Sequence, residues 1–418
     1  SYFTSSVAES LHMPIESESA IGSRLVMEED EDCAVWEESA FAPPPMPQAK
    51  APQIQSRKME SSKPGSSRPQ AVRAKPKGDF RDLQEFLKQN DAGFKDVLLK
   101  YIDRTGKKDS EIYKKAISDF NPDALILVDY PSFNLKLARH AHSIGIPVYY
   151  YISPKVWAWK EKRVHRLKKF VDRLFIIFPF EIEYFKKWGI DTVYRGNPLL
   201  DSVDNYSRAS ESREEFIART GLEPGKENIA LLAGSGKGEI KYLLPRMIEV
   251  AKRYPAHQFL MACAPSMERE FYEKIIGKQC SNIKLLFGET YSILRHSDAA
   301  IINSGTASLE AALIGVPQVV CYGGNEISYQ IAKRVVKLKY ISLANLIMDR
   351  GLFKELIQHD CTPTLISQEL EMLLHNSEYR AKMKNDYTQV REVLGGKGAS
   401  AKVAQAMFDE LDKMIKNR

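Results

Sequence analysis

The chain has 418 residues, with 60 Lys and Arg against 54 Asp and Glu, and 44% of its residues are hydrophobic. This length and composition predict roughly two to three globular domains and exclude collagen-like, mucin-like and wholly disordered proteins. The five cysteines form no Cys-x-x-Cys or Cys/His pattern, so we expect neither a disulfide framework nor a bound metal. No apolar run approaches the ~20 residues that span a bilayer, and no signal peptide is recognisable at the start.

The first 78 residues differ in composition from the rest of the chain. Residues 1–49 hold ten acidic residues and one basic residue, whereas residues 50–77 hold eight basic residues and one acidic residue. Few apolar residues and no periodic pattern predict a disordered acidic tail and a basic, Pro/Ser-rich linker over 1–78. Apolar residues at helical spacing then predict a short helical segment over 79–118.

Short apolar runs alternate with helical segments from residue 119 onward. Strands that are buried on both faces and joined by helices form parallel, doubly wound sheets. The sequence therefore predicts an α/β protein with two Rossmann-like domains, an incomplete one over 119–205 and a second one over 206–418 that ends in three helices. The predicted strands are ALILVD (124–129), PVYYYI (147–152), RLFIIF (173–178), DTVY (191–194), NIALLAG (228–234), HQFLMAC (257–263), NIKLLF (282–287), DAAIIN (298–303), PQVVCY (317–322) and KYISL (339–343).

The first predicted strand ends on Asp129, at the sheet edge where ligands bind in such folds. A carboxylate in that position can accept a proton from a substrate hydroxyl, which makes Asp129 a candidate general base. An N-cap for the helix that begins near Phe133 is the alternative, and from spacing alone it is the more common use of such a residue.

A basic segment with two tryptophans follows the second predicted strand. Residues 155–169 contain seven Lys or Arg and one Glu. A solvated helix face explains many charge runs, whereas tryptophan beside basic residues is typical of segments that dock on an anionic membrane surface. The candidate membrane-facing residues are Trp157, Trp159, Lys160, Lys162, Arg163 and Arg166.

Two strand-to-helix turns in the second half have features of phosphate sites. The first is the Gly-rich turn GSGKG (234–238), and the second is SGT (304–306), with Glu310 one helical turn further on. Backbone N–H groups at the start of a helix favour an anion, and a carboxylate such as that of Glu310 can accept both hydroxyls of a ribose. Ordinary capping of the helix by Ser304 and Thr306 is the alternative.

The motifs in this order resemble lipid-A-disaccharide synthase, an inverting glycosyltransferase of the GT-B architecture. The resemblance covers roughly residues 119–415 and rests on VDYPSFNLKLA (128–138), YYYISPKVWAWKEKRVHRLKK (149–169), FPFE (178–181), GNPLLD (196–201), LLAGSGKGEIK (231–241), INSGTASLEAALIGVPQVVCY (302–322) and KYISLANLI (339–347). The blocks SP-x-VWAW-x-x-x-R and SGTA-x-LE are far more specific than a Gly-rich turn.

The resemblance implies a reaction between UDP-2,3-diacylglucosamine and 2,3-diacylglucosamine 1-phosphate that gives the lipid A disaccharide 1-phosphate and UDP, without a cofactor. It implies Asp129 as the base. It also implies a peripheral location on the cytoplasmic face of the inner membrane and is compatible with a homodimer. The implied donor-binding residues are Gly234, Ser235, Lys237, Ser304, Gly305, Thr306, Glu310, Asn345, Gln358 and Asn197.

The chain departs from the family pattern in three places. The family's opening strand and GE-x-SGD turn are not found. Residues 1–118 are therefore expected to be unrelated sequence that replaces roughly the first quarter of the enzyme. Ser132 replaces a second Asp, and Gly236 replaces the Arg of a GSR turn, beside Lys237. A degenerate member that binds nucleotide-sugar or anionic lipid without catalysis is therefore the alternative function.

Two other functions fit the sequence less well. Another UDP-GlcNAc-using enzyme of the GT-B type would lack the Trp-containing block. Nucleic-acid binding is not expected, because the excess positive charge lies in one helix.

Overall fold

The computed structural model describes residues 109–158, 160–277, 280–324 and 339–416, and these belong to one compact unit. The predicted tail, most of the predicted helical segment over 79–118, and Trp159 lie outside the described residues. None of the described helices combines the length and the apolar character that a membrane crossing requires.

The first half contains one parallel sheet whose described strands follow chain order, β1-β2-β3-β4. Its strands are apolar and largely buried, as the alternation with helices predicted. They are β1 (Leu125–Val128), β2 (Val148–Tyr151), β3 (Arg173–Ile176) and β4 (Thr192–Tyr194). The helices of this half are Asp109–Phe120, Pro131–Ser143, Val164–Phe170, Phe180–Lys187 and Pro198–Asp204.

The second half contains a parallel sheet of six described strands in the order β10-β9-β8-β5-β6-β7. The strand order reverses between β5 and β8, and this reversal is where doubly wound sheets bind ligands at their carboxyl edge. The strands are β5 (Asn228–Leu232), β6 (Gln258–Cys263), β7 (Ile283–Phe287), β8 (Ala299–Asn303), β9 (Gln318–Tyr322) and β10 (Glu355–Ile357). The helices are Arg213–Thr220, Lys237–Arg253, Arg269–Ile276, Thr290–Arg295, Thr306–Ile314, Leu343–Met348, Pro363–His375, Ser377–Val393 and Ala399–Lys416.

The prediction of a strand over 339–343 was wrong, and the other strand predictions are confirmed. The backbone N–H groups of Ile341 and Ser342 donate to the carboxylate of Glu355 at 2.9 and 3.0 Å, so they are not available to a neighbouring strand. A helix starts immediately afterwards, at Leu343. The tenth strand is the three-residue segment that contains Glu355, which is too short to give a periodic signal.

The end of the chain returns to the first sheet. Tyr194 at the end of β4 donates its hydroxyl to the carbonyl of Leu394 at 2.9 Å, and Arg173 at the start of β3 pairs with Glu410 at 2.8 Å. The carboxylate of Asp201 accepts the N–H groups that open the last helix, including that of Gly398 at 2.6 Å. One apolar core runs from the first sheet into the second half. These contacts connect the two sheets within the described unit.

Candidate active site

Asp129 lies where β1 ends, and its backbone is held on both sides. Its N–H donates to the carbonyl of Tyr151 on β2 at 2.9 Å. Its carbonyl accepts the hydroxyl of Tyr150 at 2.5 Å and the side-chain amide of Asn134 at 2.6 Å. Asp129 and Tyr130 have φ of 46° and 45°, a left-handed conformation that non-glycine residues rarely adopt. Such strain is concentrated at functional sites, where the surroundings enforce it.

The capping alternative for Asp129 does not fit the structure. The following helix begins at Pro131, its N-cap residue is Tyr130, and no side chain caps it. The hydroxyl of Ser132, the second residue of this helix, accepts a hydrogen bond from Arg163 at 3.2 Å. The carboxylate of Asp129 is therefore not used as a helix cap, and it remains the base candidate in this block.

Lys155, in the segment after β2, supplies the positive charge that acts on Asp129. Burial raises the pKa of Asp129, while the Lys155 ammonium and the N–H of Tyr130 oppose this. Burial also lowers the pKa of Lys155 to about 7, although the carboxylates of Asp129 and Glu181 favour its charged form. In the sequence Lys155 is one of a run of basic residues, and the structure separates it from the exposed members of that run.

Glu181 is a buried carboxylate in the motif FPFE (178–181), and the sequence pattern alone indicates no role for it. It accepts hydrogen bonds from Ser153 at 2.5 Å and from the indole of Trp157 at 3.1 Å. It also accepts the backbone N–H groups of Ile177 and Phe178 at 3.3 and 3.0 Å. Burial raises its pKa to about 7 in spite of these donors. Its position at the start of a helix after β3 was visible in the sequence, but its burial was not.

The Gly-rich turn after β5 already holds a carboxylate of the chain itself. Glu239 accepts the backbone N–H groups of Ser235 and Gly236 at 3.0 and 3.1 Å. Gly234 has φ of 107°, and a Cβ there would lie 2.4 Å from the carboxylate of Glu239. Lys237 is exposed at the first position of the helix. Of the predicted phosphate contacts in this turn, the two N–H groups are satisfied internally, whereas the Lys237 side chain is on the surface.

The turn after β8 contains buried polar atoms without partners in the described part of the chain. These are the Nδ2 atom of Asn303 and the Oγ1 atom of Thr306, in residues that are 3% and 1% exposed. Leaving a buried polar group unpaired costs about 1–3 kcal/mol, so such groups point to a polar ligand or water. A Cβ on Gly234 would lie 2.9 Å from this Asn303 atom, so the two turns adjoin. Ser304 and Gly305 form the tip of the second turn, and Ser304 donates its N–H to Cys321 at 2.9 Å.

Glu310 lies buried in the helix that follows this turn. It is 7% exposed and accepts the hydroxyl of Tyr291 at 3.1 Å. The arrangement holds a carboxylate close behind the second turn. That is the placement which the ribose interpretation requires.

Three other predicted donor residues make internal contacts. Asn197 has no exposed surface, caps the helix Pro198–Asp204 and donates to the Ile177 carbonyl at 2.9 Å. Asn345 bonds Leu352, Phe353 and Glu355. Gln358 pairs with both backbone groups of Gly324 at 3.0 and 3.1 Å. These side chains stabilise the loops near the cleft, and a direct sugar contact by Asn197 does not fit its complete burial.

The basic segment divides into two parts. Lys160, Lys162 and Arg166 are exposed, whereas Arg163 is half-buried against Ser132. Trp157 is half-buried and packs edge-on against Phe180, with ring centroids 5.0 Å apart. Its indole N–H is engaged by Glu181, so this tryptophan contributes to the interior of the first half.

The comparisons with known proteins agree on one family. A family model described as lipid-A-disaccharide synthetase matches residues 76–408. The lipid-A-disaccharide synthase of Syntrophotalea carbinolica is 38% identical over 298 residues, which cover 70% of this chain and 75% of that protein. The same enzyme of Geobacter sulfurreducens is 36% identical over 298 residues, covering 70% of this chain and 77% of that protein. The family match includes residues 79–118, so the resemblance is longer than the motifs indicated.

A solved structure supports the fold. A putative UDP-N-acetylglucosamine 2-epimerase from Listeria monocytogenes has a TM-score of 0.52 at 15% identity, covering 73% of this chain and 78% of that one. At that identity the likeness concerns the fold alone. The two parallel-sheet halves are those of the GT-B architecture.

Replacing Glu310 by alanine tests its assignment to the nucleotide. If its carboxylate binds the ribose, the Glu310→Ala change should weaken UDP binding by about 1–3 kcal/mol, because the ribose hydroxyls lose their acceptor. Isothermal titration calorimetry measures this directly. The exposed Glu270, near the start of another helix, gives the control Glu270→Ala. Equal UDP affinity in both variants would return Glu310 to a structural role.

Proposed function

The chain belongs to the lipid-A-disaccharide synthase family, and we propose that it joins UDP-2,3-diacylglucosamine to 2,3-diacylglucosamine 1-phosphate. The products are the β-1,6-linked disaccharide 1-phosphate and UDP. Family membership makes the chain a glycosyltransferase of lipid A synthesis. Its substrates are of the acylated sugar-nucleotide type. The placement of Asp129 beside Lys155, at the carboxyl edge of the first sheet, is the observation that carries the proposed mechanism.

Asp129 is the base in this mechanism. Its carboxylate takes the proton of the acceptor's 6-hydroxyl as the oxygen attacks the anomeric carbon of the donor. The bond from that carbon to the diphosphate breaks, and UDP leaves with the electron pair. Attack from the side opposite the diphosphate inverts the configuration. The ammonium of Lys155 favours the ionised form of Asp129, which is the form that can accept a proton.

The second sheet binds the donor. The charge on the diphosphate is met by the start of the helix Thr306–Ile314, by the unpaired polar atoms of Asn303 and Thr306, and by Lys237. Glu310 binds the ribose. Glu239 already accepts hydrogen bonds from two backbone N–H groups of the Gly-rich turn. The turn after β8 is therefore the main phosphate site. Ser235 and Gly234 then shape the cleft wall.

The exposed cations of the basic segment face an anionic membrane surface. Both proposed substrates are acylated, so the enzyme must meet them at a bilayer. Lys160, Lys162 and Arg166 supply exposed positive charge in the half that carries Asp129. A peripheral position on the cytoplasmic face of the inner membrane follows from this proposal, and a homodimer stays a prediction of the resemblance.

The alternative function, binding of nucleotide-sugar or anionic lipid without turnover, has no observation in its favour. The replacement of Arg by Gly236 removes one cation, but Lys237 stands beside it at the same helix start. The base candidate Asp129 is retained. We therefore propose an active enzyme.

Replacing Asp129 by asparagine tests the mechanism. Asp129→Asn should lower the rate of UDP release from the paired diacylated substrates by about 10²–10⁴-fold, because an amide cannot accept the proton. UDP affinity should stay unchanged, since the donor lies on the other sheet. Asp123→Asn, at the opposite end of β1 and exposed, is the control and should keep full turnover. Joint loss of turnover and UDP binding in Asp129→Asn would mean that Asp129 only supports the fold, and an inactive parent chain would contradict the synthase proposal.

Reversing two exposed charges tests membrane docking. The double variant Lys162→Glu, Arg166→Glu should bind phosphatidylglycerol vesicles at least ~2 kcal/mol more weakly, because each surface cation contributes about 1 kcal/mol. Sedimentation with vesicles measures the partition. The double variant Lys274→Glu, Lys384→Glu makes the same charge change at other exposed positions. A similar loss in both variants would show a general charge effect and no docking face.

A further inference from the structure

The carboxylate of Glu181 fixes both ends of the segment that carries Lys155. One of its oxygens, Oε1, accepts the hydroxyl of Ser153 at 2.5 Å and the indole N–H of Trp157 at 3.1 Å. Lys155 lies midway between these two residues in the chain. The other oxygen, Oε2, accepts the N–H groups of Ile177 and Phe178 directly after β3. A single side chain thus ties the segment after β2 to the end of the neighbouring strand.

The segment needs these hydrogen bonds because the backbone conformation of its preceding residue is unfavourable. Ile152, which leads out of β2, has φ of 59°, a conformation that is a clear outlier for a β-branched residue. Residues in such conformations persist only where the surroundings hold them. Ser153 is 4% exposed, and Trp157 packs against Phe180, so both ends of the segment are anchored.

A buried carboxylate is a costly way to hold a loop. Glu181 is 1% exposed, and removing an ionised group from water is unfavourable unless donors and charges compensate. Its four donors supply part of the compensation, and its charge in turn favours the ammonium form of Lys155. The charge of Glu181 is therefore directed toward the same lysine that its hydrogen bonds place.

We propose that Glu181 is a positioning residue for glycosyl transfer, which clamps the segment 153–157 so that the ammonium of Lys155 faces Asp129. This inference rests on the proposed function, in which Asp129 is the base. Glu181 touches no reacting atom in this account. It acts through Lys155, whose charge supports the ionised base.

The charged and titratable neighbours of Lys155, Asp129 and Glu181 come from five elements. Lys155 is faced by Asp129 from the end of β1 and by Glu181 from the helix after β3. The hydroxyl of Tyr150 on β2 bonds the Asp129 carbonyl, and Arg163 acts on Tyr150 from the basic segment. The charge of Glu181 also reaches Tyr194 on β4.

The kinetic test replaces Glu181 by glutamine in the full chain. The amide keeps the size of the side chain but offers N–H donors where the carboxylate accepted, so it cannot satisfy all four donors. We expect kcat to fall on the order of 10–100-fold, as for a small displacement of a catalytic group. KM for both substrates should change less than about twofold. The control Glu183→Gln lies on the same helix and is exposed, and it should behave as the parent chain.

A second readout does not need turnover. Trace acetylation of Lys155 by acetic anhydride, followed by mass spectrometry across pH, should give a midpoint near the pKa of about 7 in the parent chain. In Glu181→Gln, release of the segment into water should raise this midpoint toward that of an ordinary lysine. Trp157→Phe removes one of the four donors and should shift it in the same direction, which keeps the test decisive if the glutamine variant does not fold.

Results that contradict the role of Glu181 differ from results that contradict the synthase proposal. A midpoint that stays or falls in the variants, or an unchanged kcat in Glu181→Gln, would mean that the segment keeps its place without the clamp. An inactive parent chain would contradict the synthase proposal, and the acetylation midpoints would still decide whether Glu181 places Lys155.

Discussion

The candidate site depends on the attraction between a carboxylate and an ammonium that lie where two neighbouring parallel strands end. Asp129 follows β1 and Lys155 lies shortly after β2, so the parallel register of the sheet brings both to one edge. Burial acts against both charges, because it raises the pKa of the carboxyl and lowers that of the ammonium. Each group opposes the effect of burial on the other. A change that moves either one therefore alters the proton affinity of the base.

The two halves of the molecule differ in the charged and polar groups that they hold near their turns. The first half holds a base ready beside a cation, with Glu181 satisfied by four donors from its own surroundings. In the proposed function, the second half binds the negative diphosphate. There, Glu239 already occupies the N–H groups of the Gly-rich turn, whereas the buried polar atoms of Asn303 and Thr306 lack partners in the described chain. The proposed anion site is therefore centred on the turn after β8.

The strands and their parallel order were predictable, because apolar runs that alternate with helices determine them. The contacts that assign roles were not. The motif that contains Glu181 was recognisable, yet its burial and its bonds to Ser153 and Trp157 depend on strands that are distant in sequence. The membrane-facing role of Trp157 stays a prediction, and its indole N–H donates to Glu181. The strand predicted over 339–343 failed because a single carboxylate, that of Glu355, takes the backbone N–H groups of this segment. Tertiary partners thus override local pattern.

The pH dependence of kcat/KM in the parent chain and in Lys155→Met tests this account most directly. Asp129 must be ionised to accept a proton, so activity falls as the pH drops through its pKa. Lys155 lowers that pKa against the effect of burial. Loss of the ammonium should therefore move the acid limb of the profile to higher pH, by about one unit or more for an adjacent charge. An acid limb at the same pH in both proteins would show that Lys155 does not act on the catalytic base.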